Sequence, residues 1–103
     1  MTPRVVWSPD AREDLFEIYE TICLDNPAAA ERLVSGIERK VERLAAQPRL
    51  GPRRPEIRPA TRQLVERPYL IFYENHPDTD DGPIDTISIV RIIHGHRDLT
   101  HLD

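Results

Sequence analysis

Apolar residues recur along the chain with changing periods, and each change marks a change of element. Arg4-Val5-Val6-Trp7 is rich in β-branched and aromatic residues and stops at Ser8-Pro9, which predicts a short strand. Ala11, Leu15, Ile18 and Ile22 follow at spacings of four, three and four, the repeat of a one-faced helix. Ser8 suits the N-cap, and Pro9 the first helical position, where a missing N–H costs nothing. Asp10, Glu13 and Asp14 are expected to favour the positive end of the helix dipole, and the helix should stop near Leu24.

Asp25-Asn26-Pro27 repeats the start signal. From Pro27 to Gln47 the stripe Ala30, Leu33, Val34, Ile37, Val41 and Leu44 predicts a second amphipathic helix, about 30 Å long. The connection is so short that the two helices should pack as an antiparallel hairpin. Gly36 weakens the second helix; it either allows the helices a close approach or is a tolerated surface glycine.

Periodicity then vanishes. Residues 47–59 hold four of the ten prolines and read as an ordered loop. Thr61 to Glu66 and Tyr69 to Asn75 read as strands broken at Arg67-Pro68, and His76 to Pro83 as an acidic hairpin loop. The last strand is expected from Ile84 to about His94. Unbroken alternation there places Ile87, Ile89, Arg91 and Ile93 on one face, opposite His94, unless a bulge intervenes. The order β-α-α-β-β-β predicts one α+β domain over residues 1–103, a helical hairpin packed on a small antiparallel sheet.

Composition narrows the function. With 39% apolar and 31% charged residues the chain fits a soluble domain, and its apolar runs fall far short of the roughly 20 residues that span a bilayer. The early Trp7-Ser8-Pro9-Asp10 leaves no room for a signal peptide. A cytoplasmic protein without membrane contact is expected, and the single Cys23 fits a reducing compartment as a small packed residue. The net charge of −4 disfavours free binding to nucleic acid. Within it lies a basic island, residues 49–67, where Arg49, Arg53, Arg54, Arg58, Arg62 and Arg67 face only Glu56 and Glu66. It could contact phosphates or an acidic partner, or simply balance the acidic helices.

The densest polar chemistry is Arg91-Ile92-Ile93-His94-Gly95-His96-Arg97-Asp98. Histidine moves protons near neutral pH and arginine braces phosphate, so His94, His96 and Arg97 are candidates for cleaving a phosphodiester. In the other reading His94 packs under the turn, Gly95 supplies an unusual backbone angle, and Arg97 with Asp98 makes local hydrogen bonds. His94, His96, Asp98 and His101 lack the companions of a metal site, and no phosphate-binding glycine loop or serine nucleophile turn occurs. No cofactor is expected.

Val6-Trp7-Ser8-Pro9 with Ala11 and Asp14-Leu15, Asn26-Pro27-Ala28-Ala29-Ala30, Pro48-Arg49-Leu50-Gly51, Tyr69-Leu70-Ile71-Phe72-Tyr73 and Arg91 to Asp98 together resemble, in order and spacing, the ParE branch of the RelE/ParE toxin family. The resemblance covers nearly the whole chain. It implies a RelE/ParE-like fold and the toxin of a type II toxin–antitoxin pair, held in a hetero-oligomer by an antitoxin whose C-terminal segment wraps it. ParE-like toxins are known as inhibitors of DNA gyrase, whereas RelE-like relatives cut messenger RNA in the ribosome. RelE-like enzymes are strongly basic and often carry a C-terminal tyrosine; this chain has one lysine, no tyrosine after Tyr73 and an acidic balance. The expectation is therefore a gyrase inhibitor, with ribosome-dependent RNA cleavage, or an inactive toxin that only binds its antitoxin, as the alternatives. Contacts with target or antitoxin are expected at Arg58, Arg62, Tyr69, Tyr73, Arg91, His94, His96 and Arg97.

Overall fold

The start signals act where the sequence puts them. In the computed structural model, which describes residues 2–96, the Ser8 side chain accepts the Ala11 N–H at 3.0 Å and that of Asn26 accepts the Ala29 N–H at 3.0 Å. Each cap precedes a proline in the first turn. The elements are β1 (Arg4–Trp7), α1 (Pro9–Cys23), α2 (Pro27–Arg43), β2 (Thr61–Glu66), β3 (Tyr69–His76) and β4 (Thr86–His94). Beyond Arg43 the chain tightens: the N–H groups of Leu44, Ala45 and Ala46 bond the carbonyls three residues back, so α2 ends short of Gln47 in a 3₁₀-like turn.

The strands form one sheet in the order β1-β4-β3-β2. β2, β3 and β4 pair antiparallel, as an α+β hairpin series should, while β1 lies parallel to β4 from Arg4↔Thr86 to Trp7↔Ile89. The sheet is therefore mixed. The α1–α2 hairpin lies between β1 and the rest of the sheet in the chain, and the last strand inserts between β1 and β3. Ile84 is buried but precedes the ladder, which starts at Thr86.

The helical stripes and one sheet face share a core. Ala11 and Ile18 of α1, Ile37 and Val41 of α2 and Leu44 at the C-cap of α2 pack with Leu64, Ile71, Tyr73, Ile87, Ile89 and Ile92. Leu15, Ile22, Leu33, Val5 and Trp7 pack around its rim. Gly36 faces the sheet, not α1: a Cβ there would sit 2.6 Å from Glu66 Oε2.

The proline-rich loop is pinned by the core. The Tyr73 hydroxyl donates to Pro48 O and accepts from Gly51 N, both at 2.9 Å. Farther along, Arg53 bridges to Arg62, and the Gln63 N–H donates to Pro52 O at 3.1 Å, so the loop covers part of the outer edge of β2. Among the described residues no helix is long and apolar enough to cross a membrane.

Candidate recognition surface at the C-terminal strand

The C-terminal strand departs from simple alternation at one residue. Tyr73 pairs with Ile89 and Phe72 with Arg91, so Val90 is an extra residue, a bulge. The bulge reverses the facing of everything after it. Ile87, Ile89 and Ile92 all reach the core, whereas an unbroken strand would have turned Arg91 inward with Ile87 and Ile89. Because the bulge precedes Arg91, it leaves Arg91 and His94 three residues apart on an ordinary strand, still on opposite faces.

Where β1 ends, α1 takes over the exposed edge of β4. The Ser8 N–H donates to Ile89 O at 2.9 Å, and its hydroxyl donates to Val90 O at 2.9 Å while capping the helix. One turn and a half on, Asp14 accepts the Ile92 N–H at 2.9 Å. The same carboxylate accepts the Arg91 guanidinium, Nε at 2.8 Å and the terminal nitrogen at 3.1 Å. This two-pronged contact raises the Arg91 pKa above its ordinary value, chiefly through the hydrogen bond to Asp14. Asp14 thus does what a neighbouring strand would do, and more. It lies beyond the first turn of α1, where only Asp10 supplies the acidic charge that the dipole favours. That position was the available signal that Asp14 has another task.

Beyond Arg91 the strand ends in an aromatic cluster. Tyr69, paired with His94 across the ladder, meets its ring edge-on at a centroid distance of 5.4 Å, and His96 lies 5.1 Å from His94 at a tilt of 31°. The His96 N–H donates to His94 Nδ1 at 3.2 Å, which leaves the proton of the neutral His94 ring on Nε2. Tyr69 and His94 line a shallow cleft of about 240 Å³ with Asp14, Glu17, Ile18 and Thr21 of α1. Among the described residues no three histidine, cysteine or acidic side chains are grouped to hold a metal. Arg97, Asp98 and His101 lie outside the described residues.

The other sequence candidates are dispersed. Arg58 is exposed on the proline-rich loop. Arg62 is buried and donates to Gly51 O at 2.9 Å. Tyr73 is fully buried, and burial pushes its phenol pKa above the ordinary value. The basic island faces the acidic loop between β3 and β4. Arg53 pairs with Asp78 at 2.8 Å and Asp80 at 3.0 Å, and Arg49 donates to the Thr79 and Gly82 carbonyls at 3.0 Å. Arg54 pairs with Glu56 at 2.6 Å. Much of the island's charge is answered within the chain.

A more apolar surface lies between the helices. Trp7, Leu15, Phe16, Tyr19 and Val34 line a groove of about 430 Å³, with Arg12 and Glu38 also bordering it. Phe16 is 62% exposed, although it sits in the middle of α1. Its place between Leu15 and Glu17, off the core stripe, gave no periodic signal.

The comparisons with known proteins agree with this geometry. Residues 5–99 match the family model described as the ParE toxin of the type II toxin–antitoxin system parDE. Toxin ParE1 of Mycobacterium tuberculosis (strain ATCC 25618 / H37Rv) is 33% identical over 100 residues, with 96% of each chain covered. Toxin ParE3 of Caulobacter vibrioides is 28% identical over 97 residues, covering 93% of this chain and 90% of its own. A solved structure, "Chromosomal ParDE TA system from P. aeruginosa", superposes with a TM-score of 0.70 at 27% identity, over 90% of this chain and 96% of that one. With nearly its whole length matched in sequence and in fold, the chain belongs to the ParE family and is the toxin of a type II toxin–antitoxin system.

Proposed function

We propose that this toxin acts by occupying a surface of DNA gyrase, in the cytoplasm, and that a cognate antitoxin neutralises it by wrapping it with a C-terminal segment. The gyrase target follows from the resemblance to ParE-like toxins; the observation that favours binding over chemistry is the capture of Arg91 by Asp14. Held by two hydrogen bonds to a carboxylate, Arg91 is not free to brace a phosphate, and it lies on the strand face opposite His94; the cleft beside His94 is lined by the Asp14 and Glu17 carboxylates and, among the described residues, by no arginine. His94, His96, Tyr69 and the exposed Arg58 then serve as contacts rather than as proton carriers. The groove around Phe16 supports the antitoxin reading, since an amphipathic segment would bury its apolar wall.

Expression without the neighbouring antitoxin gene tests this. Growth should stop, transcripts added to a translation extract with the toxin should stay intact, and co-expressed antitoxin should restore growth. Transcripts cut by the parent and spared by a His96→Ala variant would instead assign ribosome-dependent RNA cleavage. Undisturbed growth would leave a chain that only binds its antitoxin.

A further inference from the structure

A second charged surface lies on the far side of α2, away from the cleft and from the apolar groove. Arg32, Gly36, Arg39 and Arg43 recur at spacings of four, three and four along α2, so they form one stripe. Gly36, Arg39, Lys40 and Arg43 line a groove of about 590 Å³ with Glu42 and Glu66. Lys40 and Arg43 lie in the last helical turn, where cations complement the dipole. Arg32 and Arg39 lie too far back for that account.

One carboxylate already rests in this groove. Glu66, at the end of β2, lies directly over Gly36, so closely that any Cβ at position 36 would meet its Oε2 at 2.6 Å. Its other oxygen is 3.6 Å from Lys40 Nζ, which also donates to Val65 O. Glycine lets a carboxylate lie against the helix backbone between flanking cations. The three cations Arg39, Lys40 and Arg43 outnumber the two carboxylates Glu42 and Glu66, so the groove is locally positive on a protein of net charge −4, and the Glu66 carboxylate seated over Gly36 is the chemistry it already accepts. The spacing also selects a shape. Arg39 and Arg43 are one turn apart, about 6 Å along the axis, and alternate side chains of an extended peptide are about 7 Å apart.

We infer that the Arg39–Lys40–Arg43 groove over Gly36 is a docking site for an extended acidic peptide of a partner protein, with Glu66 the internal carboxylate that the peptide displaces. The inference is independent of the gyrase reading. Its test is fluorescence polarisation of the intact toxin with a labelled ten-residue peptide alternating glutamate with threonine and valine. The same peptide with glutamine for glutamate, and a single-stranded DNA ten-mer, serve as controls. The glutamate peptide should bind at least tenfold more tightly than either control. Arg39→Gln with Arg43→Gln, both at exposed positions, should weaken it tenfold while the circular dichroism stays unchanged. Glu66→Gln should tighten binding severalfold, and Glu31→Gln, the same charge change at an exposed position of α2 outside the grooves, should leave it within twofold. Equal binding of the two peptides, or equal effects of Glu66→Gln and Glu31→Gln, would overturn the site. Tighter binding of the DNA would overturn it in favour of a phosphate surface.

Discussion

Asp14 and Arg91 stand 77 residues apart in the chain and close a bidentate pair at 2.8 and 3.1 Å that fastens the first helix to the last strand. The side chains are 12% and 19% exposed, so the pair is shielded enough to matter energetically. Asp14→Ala also strips the Ile92 N–H of its acceptor, and should cost about 3 kcal/mol in urea unfolding. In a cycle with Arg91→Leu, the coupling should reach at least about 1 kcal/mol. Additive losses would show that the two residues act separately.

Tyr73 gives a stability loss at alkaline pH. Its phenol is buried and bonded to Pro48 O and Gly51 N, and burial raises its pKa above the ordinary 10.0. The folded state therefore holds the proton more tightly than the unfolded chain. The resulting stability is fully present below pH 10.0 and is lost as pH rises from there through the raised folded value. Tyr73→Phe should cost about 2 kcal/mol at neutral pH and should flatten the alkaline decline, as read by chemical unfolding at a series of pH values.

Gly51 should tolerate no side chain. A Cβ there would press against the Gln63 carbonyl and come within 2.9 Å of Tyr73 Cε1. Gly51→Ala should destabilise by about 2 kcal/mol or more, because the backbone atom it meets cannot swing aside. A thermal midpoint within a degree of the parent would contradict this.

Neutralising the acidic loop should expose the basic island at little cost to the fold. Asp78→Asn with Asp80→Asn removes both partners of Arg53, yet these pairs are solvated and the urea-unfolding midpoint should barely move. Retention on heparin should increase over the parent, because Arg53 loses its internal counter-charges. Unchanged retention would show that the loop does not mask the arginines.

Much of this fold was legible because its signals are local. Ser8-Pro9 and Asn26-Pro27 start both helices, and the stripe on each helix faces the core, except that Val34 of the α2 stripe lines the groove beside Phe16. The relations that shape the candidate site are long-range. Alternating isoleucines on β4 fit a straight strand as well as a bulged one, so only the pairing of Tyr73 with Ile89 and Phe72 with Arg91 reveals Val90 as the extra residue. β1 could not be placed beside β4 in parallel from its own four residues. Arg53 and its aspartates are at least 25 residues apart, so the basic island looked uncompensated along the chain. Tyr73 read as a surface candidate because alternation says which face a side chain takes, not what covers that face.

Supercoiling of relaxed plasmid by purified gyrase, over a titration of purified toxin, tests gyrase binding most directly. Supercoiling should fall as toxin is added and return when the cognate antitoxin is supplied. Normal supercoiling at a large molar excess of toxin, from a chain that still arrests growth when expressed alone, would contradict it.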